Sequence, residues 1–178
     1  MEAEFGVYFR REDYASFWLR VLVDVIDLLI FGAICLMLTL PVMLIFTLSK
    51  SSLNLILLIV ATVAVSYFVV LKRSRFRTLG YRAGRIRIVG LDGRVPSYLS
   101  LILRLTFAML GPLNWLVDLT WLSNDNNRQA LRDKFADTYV IKVDAQPAGQ
   151  GRITLRHYDI FFYNCLFREV EPAPERDK

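Results

Sequence analysis

The chain has 178 residues, 54% hydrophobic and 22% charged, with a formal net charge of +5 at neutral pH. That length suits one domain. The apolar residues stand in long blocks rather than at helical or strand spacing, which argues against an ordinary soluble domain. The surplus of base points to no nucleic acid, since aromatic and basic residues are not interleaved and no nucleic-acid module accompanies them.

Residues 1–14 form a polar segment of mixed charge. A first apolar run, about 18–46, carries only Asp24 and Asp27 as ionised groups between Val21 and Phe46. A second, about 53–71, carries none. A spanning helix needs about 20 predominantly apolar residues, so both are expected to cross a bilayer. The first is not a signal peptide, because its apolar stretch far exceeds the usual core of about 7 to 15 residues. The connecting TLSKSS holds one base, Lys50.

The segment 72–97 follows with eight basic residues (Lys72, Arg73, Arg75, Arg77, Arg82, Arg85, Arg87, Arg94) against the single acid Asp92. The positive-inside rule places such a cluster in the cytoplasm. The expected protein is therefore multi-pass in the cell membrane, with its N-terminus cytoplasmic. Lys72, Arg73, Arg75 and Arg77 are positioned to meet anionic lipid headgroups.

Within that segment RIRIVGLDGRVPS reads as a strand, an Asp92-Gly93 turn and a helix start capped at Ser97. A second alternating run, Thr138 to Val143, lies beyond the next apolar block. The two would form a small cytoplasmic two-stranded β element only if both lie on one side of the membrane. The block itself, 98–122, is broken at Gly111-Pro112 into halves of about 12 residues, each too short to span. As one kinked span it would send the C-terminal part outside. As a re-entrant or interfacial helical hairpin, the favoured reading, it leaves segment 123–143 in the cytoplasm. Residues 144–178 read as a Pro/Gly/Gln linker, then an aromatic tail suited to the membrane interface or to docking a partner, with a flexible end EPAPERDK.

Arg20, Asp24 and Asp27 fall on one face of the first helix. A carboxylate at the bilayer centre costs on the order of 2.5 to 3.5 kcal/mol, so this stripe must face protein or water. Arg20 and Asp24 can pair at i,i+4. Asp27, deeper, needs another partner, and Arg104 of the third block is the candidate. Asp133 is expected to bond to the basic residues around Arg82 and Arg85. The cysteines, Cys35 and Cys165, lack metal spacing, and His157 is the lone histidine. No nucleophile-base set or cofactor loop is present, so neither an enzyme nor a cofactor is expected.

Three stretches carry a family resemblance: FWLRVLVDVIDLLIFG, TLGYRAGRIRIVGLDGRVPS and RQALRDKFADTYVIKV. In their order and spacing they resemble the RDD family of bacterial and archaeal membrane proteins, over about residues 15–143. In that likeness Arg20 matches the family arginine, Asp27 the first aspartate and Asp133 the second. Arg132 stands where many relatives have histidine, Asp24 is an additional acid, and the tail from about Gly149 lies outside the common domain. The resemblance implies transport of an unidentified solute, or ion exchange. As an intramembrane carboxylate, Asp27 is read either as a group that takes up and releases a cation or proton with help from Arg20 and Asp24, or as a polar clasp between spans. A transporter this small would need to oligomerise, with the stripe at a subunit interface; the alternative is a non-catalytic accessory or scaffold subunit beside other membrane proteins.

Overall fold

The computed structural model describes residues 4–45, 49–111, 117–118, 120–122, 128–160 and 163–172. They fall into two compact units, residues 18–85 and residues 1–17 with 86–178.

The 18–85 unit is helical. Helix α1, Phe17–Ile45, is apolar nearly all round, the pattern of a helix that meets lipid rather than water. Only Arg20, Val23, Asp27 and Thr39 are buried along it. Helix α2, Lys50–Val65, opens on a reciprocal cap: Ser49 accepts the Ser52 amide at 3.2 Å, and the Ser49 amide donates to the Ser52 hydroxyl at 2.8 Å. It runs on without interruption into a π-helical turn, Ser66–Leu71. The two helices are 29 and 22 residues long counting that turn, long enough and apolar enough to cross a membrane. Phe31 meets Phe68 at 5.3 Å between ring centroids. A short helix α3, Leu79–Ala83, closes the unit.

The other unit is built on two sheets. Strand β1, Phe5–Tyr8, pairs antiparallel with β4, Gly149–Ile160, which pairs antiparallel with β5, Tyr163–Pro172. Strand β2, Ile86–Gly90, pairs with β3, Thr138–Lys142, in a register that sets Ile86 against Lys142 and Gly90 against Thr138. Both sheets contribute to one apolar core of Phe9, Tyr14, Val89, Leu91, Tyr139, Ile141, Ala145 and Val170. At its centre the rings of Phe9, Tyr14 and Tyr139 meet edge to face, 5.5 to 6.3 Å apart. Helix α4, Tyr98–Met109, is capped by Ser97, whose hydroxyl accepts the Ser100 amide at 3.0 Å. Helix α5, Leu131–Phe135, precedes β3. Of the Gly111-Pro112 break only Gly111 lies within the described residues, and the second half of block 98–122 is described as helical at 117–118 and 120–122.

The two alternating runs pair, as β2 and β3, and the Asp92-Gly93 turn forms between Gly90 and Arg94, with Gly93 at φ +77. The β component, however, is larger than the two-stranded element the sequence suggests. Residues 149–160 and 163–172, which read as linker and aromatic tail, pair as two long antiparallel strands, and the N-terminal segment adds β1 to them. The physical reason is side-chain chemistry. Aromatic and β-branched residues serve a strand as well as a membrane interface, and periodicity alone does not separate them. Of EPAPERDK, Glu171 and Pro172 end β5, and the rest lies outside the described residues.

Two glycines allow the three strands to close. Gly6 and Gly151 stand opposite each other in the β1–β4 ladder. A Cβ at Gly151 would collide with the backbone carbonyl of Glu171, which cannot swing aside. Gly151→Ala is therefore expected to cost about 1 to 3 kcal/mol, the usual penalty of an overpacked site. A thermal melt of the purified protein in detergent, followed by circular dichroism near the strand signal, checks this.

Candidate functional site

Asp27 is the deepest polar residue of α1, with 0% of its surface exposed. Its site is assembled from three further pieces of the same unit. The π-helical turn places the Tyr67 hydroxyl 3.0 Å from Oδ1. The residue that opens α3, Thr78, donates its hydroxyl to Oδ2 at 2.7 Å. The Gly80 amide donates to Oδ1 at 2.8 Å. Lys72, just past the π turn, holds its Nζ 3.7 Å from Oδ2 and also lies over the rings of Tyr81, at 4.4 Å, and Phe68, at 5.1 Å.

Both carboxylate oxygens thus accept hydrogen bonds, and a cation balances the charge. This is the condition under which a buried carboxylate is tolerated at all. Gly80 is required for a steric reason. A Cβ there would lie 2.5 Å from the Val23 carbonyl and 2.6 Å from Asp27 Oδ1, so only glycine lets the amide approach. Along α1, Arg20 is also buried and Asp24 half-buried.

The second polar site belongs to the other unit. Arg104 of α4 donates to the Asp133 carboxylate and, at 2.7 Å, to the Thr138 hydroxyl. Asp133 Oδ2 accepts the Ala130 amide at 3.2 Å, which caps α5. Beside it Asp118 accepts the Arg132 backbone amide at 2.8 Å and faces the Arg132 guanidinium at 3.0 Å. A third buried pair joins Lys134 to Glu169 of β5. Tyr158 donates to the same carboxylate at 2.5 Å, and burial together with that bond pushes its phenol pKa up. The Tyr158 and Phe167 rings pack with Trp121 at 5.3 and 6.4 Å. Helix α5 therefore presents Arg132, Asp133 and Lys134 in succession, each matched by an opposite charge.

Each unit thus supplies partners for its own buried charges. Within the 18–85 unit the cation beside Asp27 is Lys72, and within the other unit Arg104 is engaged by Asp133 and Thr138. Within its own unit Asp133 is met by Arg104. Sequence reasoning missed Tyr67 and Thr78, because single hydroxyl groups give no periodic signal. It missed Lys134–Glu169 because Glu169 lies in the stretch taken for a tail. Among the described residues, no three His, Cys, Asp or Glu side chains gather in a way that could hold a metal ion.

Asp27→Asn would keep the shape but set an amide N–H₂ against donors and leave Lys72 without a counter-charge. The expected cost is about 3 kcal/mol, the lower end for breaking a buried pair. Thr78→Val should cost about 1 kcal/mol, the worth of one hydrogen bond. Melting temperatures of both variants in the same detergent check the order of the two effects. In the second site a double-mutant cycle of Arg104→Gln and Asp133→Asn should show non-additive losses, with a coupling of about 1 kcal/mol or more.

The sequence profile of the RDD family matches residues 14–137, which is 124 of the 178 residues and contains Arg20, Asp27 and Asp133. No curated protein matches the chain, and no solved structure does.

Proposed function

This chain belongs to the RDD family of membrane proteins, and from that premise we propose that it is a non-catalytic, membrane-embedded subunit that assembles with other membrane chains. The observation that supports this reading is the saturation of Asp27. With Tyr67, Thr78, Gly80 and Lys72 all directed at it, the carboxylate serves as the knot that ties α1 to the end of α2 and to α3. The Arg104–Asp133–Thr138 contacts do the same for α4, α5 and β3. Groups so fully engaged hold structure together and are not free to carry a solute. Meanwhile only 11% and 17% of the two apolar helices is buried within the chain, which leaves long faces for partner helices.

The accompanying topology keeps the N-terminus and the segment 72–97 in the cytoplasm, on the positive-inside rule. The β2–β3 ladder supports a re-entrant path for block 98–122. The strands before and after this block share hydrogen bonds, which favours placing both of its ends on one side of the bilayer.

Extraction in mild detergent, followed by native mass spectrometry with every co-purifying chain identified, tests the assembly. A fixed stoichiometry with other membrane proteins is the expected result. A monomer or homo-oligomer that carries a cation- or pH-driven flux in liposomes would overturn it.

Ion exchange is the second reading, and one observation favours it. Tyr67 both bonds Asp27 and lines an open groove beside the helices, and it sits on a π-helical turn, a feature frequent at functional sites. On that reading Tyr67→Phe should leave the fold and the Lys72 contact intact yet lower a proton-coupled flux at least severalfold. On the assembly reading the same variant keeps its partners and loses only about 1 kcal/mol of stability.

A further inference from the structure

The groove that Tyr67 lines has chemistry of its own. Its volume is about 500 Å³, within the range of small-molecule sites. Its walls are apolar, from Ile34 of α1 and Val63, Val70 and Leu71 of the second span, and it ends at Ser74 and Phe76. That end is a defined turn. Ser74 Oγ donates to the Leu71 carbonyl at 2.8 Å and accepts the Phe76 amide at 3.2 Å, and Arg77 then takes the left-handed conformation at φ +55. The turn exposes Arg75, whose guanidinium lies 5.3 Å from the centroid of the Phe76 ring. No acidic residue occurs between Asp27 and Asp92. A slot with apolar walls therefore ends at Phe76, against whose ring the exposed Arg75 guanidinium packs.

We propose that this groove binds one anionic glycerophospholipid, an acyl chain lying along Val63 and Val70 and the phosphate on the Arg75 guanidinium. Charge complementarity selects the occupant. Neighbouring Lys72 faces Asp27, and Arg75 is the cation that packs on Phe76, a residue of the groove, so Arg75 is the group assigned to the headgroup. The site differs from a diffuse attraction of basic residues to a charged surface, because it has a stoichiometry of one and an apolar seat. It rests on the membrane placement of the two spans and not on the assembly reading.

Native mass spectrometry of the delipidated full chain, titrated with phosphatidylglycerol or with phosphatidylcholine of the same acyl chains, tests it. The expected result is one retained phosphatidylglycerol, at least about fivefold tighter than phosphatidylcholine. Arg75→Ala should erase that preference, while Arg94→Ala, an exposed arginine of the same basic segment, should leave it unchanged. Ser66→Phe, which fills the groove from an exposed position on its rim, should weaken both lipids. Equal retention of the two lipids, equal effects of the two arginine variants, or full displacement by a free fatty acid would overturn the proposal. Arg75 is an exposed side chain outside both polar clasps, so its variant remains a fair test even where Ser66→Phe does not fold.

Discussion

A carboxylate inside an apolar helix must be met by donors or the helix cannot stay in place, and much of the 18–85 unit can be understood as the answer to that demand. Asp27 costs several kcal/mol to bring out of water. Its oxygens draw in a phenol, a threonine hydroxyl, a backbone amide and an ammonium group, from four points between residues 67 and 80. The α-helical path of α2 changes to a π turn where Tyr67 bonds the carboxylate. Gly80 has no side chain where the chain must pass within bonding distance of the acid. Lys72 is held by aromatic faces as well as by charge, which keeps the compensating cation beside the carboxylate.

The same logic recurs, in different elements, around α5. Arg132, Asp133 and Lys134 are three charged residues in a row on a five-residue helix, and all three are buried. A helix that short has little stability of its own. It persists because each charge finds its complement: Asp118, Arg104 and Glu169 come from block 98–122, α4 and β5. Burying three charges side by side is tolerable only with this full matching, and the matching in turn ties the long C-terminal hairpin to the helical part of its unit. The hairpin is thereby more than an appendage, although it lies beyond the stretch that matches the family.

These two clasps bear on function through what they leave free. Neither presents an uncommitted acid or base, and the apolar faces of α1 and α2 remain largely uncovered within the chain. Assembly and lipid contact use such faces directly. A transport role would have to work by loosening a clasp, and Lys72, at 3.7 Å from Asp27, is the contact with the most slack. Tyr67 is where such a loosening would communicate with the groove.

The sequence by itself determined the two long apolar helices, the alternating runs at 85–89 and 138–143, the Ser97 cap and the Asp92-Gly93 turn. Each rests on a local rule: a length of apolar residues, a period of two, a hydroxyl before a helix, a residue pair that accepts positive φ. It also singled out Arg20, Asp27, Arg104 and Asp133 as polar residues in need of partners. Which partners they take was decided only in three dimensions. Lys72 and Arg104 are both cations of suitable reach, and nothing in spacing along the chain distinguishes them as partners for Asp27. Within each unit the partners are set by where the π turn and the Thr78–Gly80 segment, or α5 and β3, bring groups to within about 3 Å, the range over which a hydrogen bond acts. The C-terminal hairpin was decided in the same way, since strands built from aromatic and basic residues become visible only when a partner strand, here β1, lies alongside.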